Sequence, residues 1–201
     1  PDMIKDPARS ATGSSESRIG KYLEPNVIDV YGRLRVLSAV RKNGMCAVFD
    51  VADDEQDIRL TFTQYHPMPG GNLKFCVVWD EVSRMFWATA NPSVNSQELV
   101  DWSGMRRADE DYHGGDRRLL MLYYSVDGLN WMQAGCVARA AKLSEAFGYP
   151  TLVIDGDDLG IIARSNIDGP SPHDADSATF HRVRDFRSLA MELSPCGDCH
   201  K

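Results

Sequence analysis

From Tyr22 onward the chain alternates short apolar runs with brief polar breaks. The breaks carry turn chemistry: Val30-Tyr-Gly-Arg, Lys42-Asn-Gly, Pro69-Gly-Gly, Asp80-Glu-Val-Ser, Asp127-Gly and Asp155-Gly-Asp-Asp. Gly, Asn and Asp tolerate the backbone angles that tight hairpins require, so this punctuation predicts β-strands joined by short turns. Helical periodicity is scarce. Ala140-Ala-Lys-Leu-Ser-Glu-Ala146 would make two turns at most. Residues 1–20 are polar, show no periodicity and read as an extended arm or linker.

One segment occurs twice. Glu24-Pro-Asn-Val-Ile-Asp-Val-Tyr-Gly-Arg-Leu-Arg-Val-Leu-Ser-Ala-Val-Arg41 and Tyr149-Pro-Thr-Leu-Val-Ile-Asp-Gly-Asp-Asp-Leu-Gly-Ile-Ile-Ala-Arg164 each read as strand, polar turn, strand, arginine. A related unit spans 73–91, where Asn91 takes the place of Arg41 and Arg164. Three units follow, at about 22–66, 70–138 and 147–193. Units of roughly 40–50 residues with several strands each predict an all-β fold of the β-propeller class. About three blades are visible. Because propellers have about four to eight blades, the set is expected to be partial or completed by another chain. The domain reading is an arm at 1–20, blades over 21–193 and a tail at 194–201.

Composition narrows the function. The net charge of −7 argues against a nucleic-acid grip. No apolar run reaches the length of about 18 residues needed to span a bilayer. The chain begins at Pro1 without an apolar leader, as a processed export product would. Cys46, Cys76 and Cys136 sit in apolar strand-like runs and read as small buried hydrophobes.

Two polar motifs stand out inside the blades. Ser125-Val-Asp-Gly-Leu-Asn-Trp131 resembles an Asp-box hairpin, in which Asp127 accepts backbone N–H groups, Gly128 permits positive φ and Trp131 packs over the turn. The segment from Arg164 to Asp176 gathers Arg164, Asn166, Asp168, His173, Asp174 and Asp176. A histidine beside carboxylates suits proton transfer or sugar-hydroxyl recognition. A self-ordering loop and a Ca²⁺ site on His173, Asp174 and Asp176 are the alternatives.

Leu-Glu-Pro-Asn-Val, Pro-Gly-Gly with Lys-Phe, Trp-Ala-Thr-Ala-Asn, Tyr-Ser-x-Asp-Gly-x-x-Trp, Tyr-Pro, Ala-Arg-Ser, His-Asp-Ala-Asp and Thr-Phe-His-Arg-Val-x-x-Phe-Arg follow in that order. Over about 22–189 this resembles the C-terminal portion of bacterial sialidase-like, BNR-repeat glycoside-hydrolase-type propellers. The resemblance implies a secreted or periplasmic protein whose central funnel binds or hydrolyses a glycan, with no cofactor and no metal. It implies Glu24, Tyr149, His173 and Asp174 as catalytic groups. Arg41, Lys74, Asn91, Arg164, Asn166 and Asp168 would bind substrate, the arginines gripping an anionic group. Sialidases use a tyrosine nucleophile, a part Tyr149 with Glu24 would play.

The C-terminal Cys196-Gly-Asp-Cys199-His200 has the spacing of a c-type haem attachment motif. The alternative reading is therefore an exported, cytochrome-associated electron-transfer or assembly protein, with haem c at Cys196, Cys199 and His200 and the propeller as a non-catalytic module. A redox or metal-binding dithiol and a chance match in a tail complete the readings of this motif.

Overall fold

The computed structural model describes residues 22–40, 44–53, 57–94 and 115–191. Arg41, the 1–20 arm, most of the polar stretch after Asn91 and the Cys196-Cys199-His200 motif lie outside them. The described residues form strands, turns and one 3₁₀ turn, Phe186–Leu189.

Eleven strands make three antiparallel sheets. Blade one is β1 (Leu23–Val30), β2 (Arg33–Ala39), β3 (Met45–Asp53) and β4 (Ile58–Pro67). Blade two is β5 (Cys76–Asp80), β6 (Met85–Ala90), β7 (Leu119–Ser125) and β8 (Met132–Arg139). Blade three is β9 (Ala146–Asp155), β10 (Asp158–Asn166) and β11 (Ser177–Val183). Each is a simple meander, paired in sequence order. This is the blade pattern the turn chemistry predicted, and the fold is an all-β propeller-type arc of three sheets.

The sheets stack face to face. Ile28, Leu37 and Val48 of blade one bury against Phe86, Ala88 and Tyr123 of blade two. The opposite face of blade two, with Trp87, Leu120 and Tyr124, packs on Leu152, Leu159 and Ile161 of blade three. Strands β1 and β9 each pack against β5.

Because the strands run as meanders, the starts of β1, β5 and β9 share one end with the β6–β7 and β10–β11 connections. The tight hairpin turns gather at the other end. There the Asp-box reading holds in detail. Asp127 accepts the N–H groups of Leu129 and Asn130, the Ser125 hydroxyl donates to Asp127, and Gly128 has φ 73°. A Cβ on Gly128 would lie 2.6 Å from Ile28 Cδ1, so this turn also wedges against blade one.

The cysteines depart from expectation in part. Cys46 is buried, and its thiol is pushed up to about 12 by desolvation. Cys76 is half-buried and Cys136 exposed, because its position on β8 points away from the inter-blade core.

Candidate functional site

Glu24 and Tyr149 open the site because they share an unusual backbone. Both precede proline, and both have positive φ, 51° and 53°. A residue in that region costs of order 1–3 kcal/mol and is found where the surrounding structure holds it. At both places the strand register shifts, between Leu23 and Asn26 and opposite Ile162 and Arg164. A bulge of this kind re-aims the side chain. The internal repeat is thus real in three dimensions, down to the bulge that begins β1 and β9.

The same register corrects the alignment of the arginines. Leu23, just before the first bulge, pairs with Ala39, and Gly148, just before the second, pairs with Arg164. Ala39 therefore holds the position of Arg164. Arg41 itself lies outside the described residues.

Asn91 and Asn166 are the true counterparts of each other. Asn91 directly follows β6 and Asn166 ends β10, and both are buried. The Asn91 amide donates to Leu119 O at 2.8 Å and Phe147 O at 3.0 Å, tying blade two to blade three. The Asn166 amide donates to the carbonyls of Ser144 and Gly169. Neither side chain lines an open surface; both amides are committed to backbone carbonyls. Lys74 is half-buried in the segment leading into β5.

Around Tyr149 four predicted residues do converge. The Tyr149 hydroxyl lies 3.3 Å from His173 Nε2, and His173 Nδ1 lies 3.3 Å from Asp174 Oδ1. With the imidazole proton on Nδ1, His173 donates to Asp174 and its Nε2 is left to accept from the phenol. The Arg164 guanidinium sits 3.8 Å above the Tyr149 ring and donates to the His173 carbonyl at 2.8 Å. Arg164 is otherwise exposed, so N–H groups of its five-donor fork are left facing solvent.

A fifth member was not anticipated. Arg117 lies 5.9 Å from the Tyr149 ring centroid and is 9% exposed. Gly148 makes room for it: a Cβ there would meet Arg117 Cδ at 2.8 Å. The glycine immediately before Tyr149 was the only sequence trace of this neighbour.

The β10–β11 loop that carries His173 is ordered by Asp176. Its carboxylate accepts N–H groups from Ile167, Asp168 and Gly169. The backbone N–H groups of Asp168 and Ile167 lower its pKa to about 2. The Asp168 side chain itself is exposed, and its backbone does the bonding. Among the described residues no group of three or more His, Cys, Asp or Glu is arranged to hold a metal.

Glu24 stands apart from this cluster. It lies at the same end but on β1, with β5 between it and β9.

The chain matches no protein-family model. No curated protein sequence matches it either. Among solved structures it is similar to a high-resolution structure of Penicillium chrysogenum α-L-arabinanase complexed with arabinobiose, with 8% identity and a TM-score of 0.45. The match covers 85% of this chain and 52% of that one, so this chain spans about half the length of that structure.

Proposed function

We propose that this chain is a carbohydrate-active propeller segment that binds, and hydrolyses, a glycan carrying an anionic group at the Tyr149 end. The observation that carries the reading is the Asp174–His173–Tyr149 chain of contacts with Arg164 stacked on the phenol. A tyrosine is a weak nucleophile until a base takes its proton, and a histidine held by a carboxylate is such a base. Contacts of 3.3 Å are of the length seen before substrate tightens a site.

In this reading His173 Nε2 takes the phenolic proton, and Asp174 stabilises the resulting imidazolium. The Tyr149 oxygen bonds to the anomeric carbon as the glycosidic C–O bond breaks. The departing oxygen takes a proton from an acid, the role assigned to Glu24. Water then attacks the anomeric carbon and gives its proton to Glu24, while the bond to the Tyr149 oxygen breaks and His173 returns the phenolic proton to that oxygen. Arg164 and Arg117 hold a carboxylate or sulfate of the substrate.

The test pairs hydrolysis of aryl glycosides, sialosides and uronides beside neutral sugars, with calorimetric binding of the matching oligosaccharides. Tyr149→Phe should lose turnover and keep binding. Arg164→Ala should weaken binding of the anionic glycan at least tenfold and leave the fold intact. Unchanged turnover in Tyr149→Phe would remove the tyrosine from the mechanism. Equal binding of neutral and anionic glycans would remove the arginines from recognition.

A further inference from the structure

The hairpin-turn end of the arc, opposite the Tyr149 cluster, holds a cavity that the proposed glycan chemistry does not use. Its volume is about 350 Å³, within the range of small-molecule sites. It lies between β1 with its following turn and β5 with its following turn. Ile28 and Phe86, both buried, supply an apolar base. Trp79 packs on Phe86 with 4.7 Å between ring centroids, and Tyr31 supplies a further ring.

Tyr31 is held beside this cavity against its own preferences. It opens a hairpin turn in which it and Gly32 both have positive φ, 55° and 81°. Asn, Asp or Gly takes such a place without strain, and tyrosine does not. The residue is 78% exposed, yet its hydroxyl donates to the Val126 carbonyl at 3.1 Å, 95 residues away. An exposed ring is thus fixed in position in a strained turn with no core to bury it.

Charge selects the ligand. Asp29 and Glu81 line the cavity, and no Lys, Arg or His does. Nearby cations are engaged elsewhere: Arg33 bonds to Asp50 at 2.6 Å, and Arg187 to Asp80 at 2.8 Å. Arg84 shares a turn with Glu81 but does not line the cavity. The Asp29 carboxylate accepts one bond, from the Gly32 N–H at 2.6 Å, and its second oxygen is left for a ligand. The Tyr31 proton is committed to Val126. Two carboxylates repel an anion, and a neutral molecule would leave both charges uncompensated. A cation compensates them and is drawn to the ring faces by their quadrupoles, tryptophan most strongly.

We infer that this cavity binds a compact organic cation, an alkylammonium or alkylguanidinium group, between the rings of Trp79 and Tyr31 and the carboxylates of Asp29 and Glu81. The site is independent of the Tyr149 chemistry, which lies at the other end of the strands.

An NMR titration at low salt tests it, reading the indole N–H signals of the four tryptophans. The Trp79 signal is the one lost in Trp79→Phe. The probes are choline, its uncharged carbon isostere 3,3-dimethylbutan-1-ol, and arabinobiose as a neutral sugar. Choline should shift the Trp79 signal, and the two neutral probes should do so far less. Asp29→Asn keeps an oxygen to accept the Gly32 N–H, and Glu81→Gln is exposed, so both should fold as the parent does. Each should weaken choline about fivefold. Tyr31→Ala should weaken it about threefold or more. A Trp79 signal unmoved by choline up to about 100 mM overturns the inference. So does an equal response to choline and its isostere, a stronger response to arabinobiose, or choline binding indifferent to both carboxylate substitutions.

Discussion

At the scale of single residues, a buried bidentate ion pair lies at the hairpin-turn end, away from the candidate site. Asp80, 2% exposed at the end of β5, receives two parallel bonds of 2.8 Å from Arg187, which also reaches Asp157 at 2.9 Å. One guanidinium thus clasps the turns of blades two and three. Removing one partner of a buried pair leaves the other charge uncompensated. Asp80→Asn should therefore lower unfolding stability by about 3 kcal/mol in urea titration. The pH dependence follows in sign. Arg187, aided by Ser83, holds the Asp80 carboxyl below the usual carboxylate range despite its desolvation. A folded value below the unfolded one means the stabilisation is complete above about pH 4 and drains away as pH falls further. The melting temperature should drop between about pH 4 and 2, and less steeply in Asp80→Asn than in the parent chain. The sequence offered no sign of this pair, because its partners are 107 residues apart. Tyr149 and His173, by contrast, were legible as residues with chemistry, though only packing showed that they meet.

At the scale of elements, the strands and turns were readable and the register was not. Turn residues such as Asp127 and Gly128 act through their own neighbours, so their roles could be derived locally. The match of Ala39 with Arg164 could not be. It depends on where the bulges at Glu24 and Tyr149 fall, and a two-residue slip is invisible to hydrophobic alternation of period two. The link from β4 to β5 shows how tightly the elements seat. A Cβ on Gly71 would stand 2.6 Å from the Met45 carbonyl oxygen, and one on Gly70 2.7 Å from the Asn91 backbone. Backbone cannot yield as a flexible side chain does. Gly71→Ala should cost about 2 kcal/mol or more, read as a lowered denaturation midpoint with an unchanged m-value. Gly148→Ala should behave differently. There the obstacle is the Arg117 side chain, which can swing aside, so stability should change little while glycan binding falls.

At the scale of the whole molecule, each blade is stabilised by its neighbours, as in repeat architectures. Among the described residues blade two is packed by a neighbouring blade on each face, with Phe86 and Trp87 turned to opposite neighbours and buried. Phe186 closes the arrangement by inserting edge-on against Trp87, 4.8 Å between centroids. Amide exchange should be slowest in β6 and β7 and fastest among the strands in β4 and β11, the outermost of their sheets. Mass-resolved hydrogen–deuterium exchange measures this directly. Exchange as slow in β11 as in β7 would show that blade stacking does not set the stability gradient.

The sequence by itself determined that strands form, where the chain turns, that the unit repeats, and which side chains carry acid, base and charge. These follow from local forces: alternation of apolar and polar positions, and the backbone freedom of glycine, asparagine and aspartate. Tertiary structure decided which of those side chains share a site. It committed Asn91 and Asn166 to backbone carbonyls, brought Arg117 beside Tyr149 through the space Gly148 leaves, and left Ile162 and Phe180 exposed. Contacts between residues far apart in the chain depend on register and blade stacking, and neither is written in any short window of sequence.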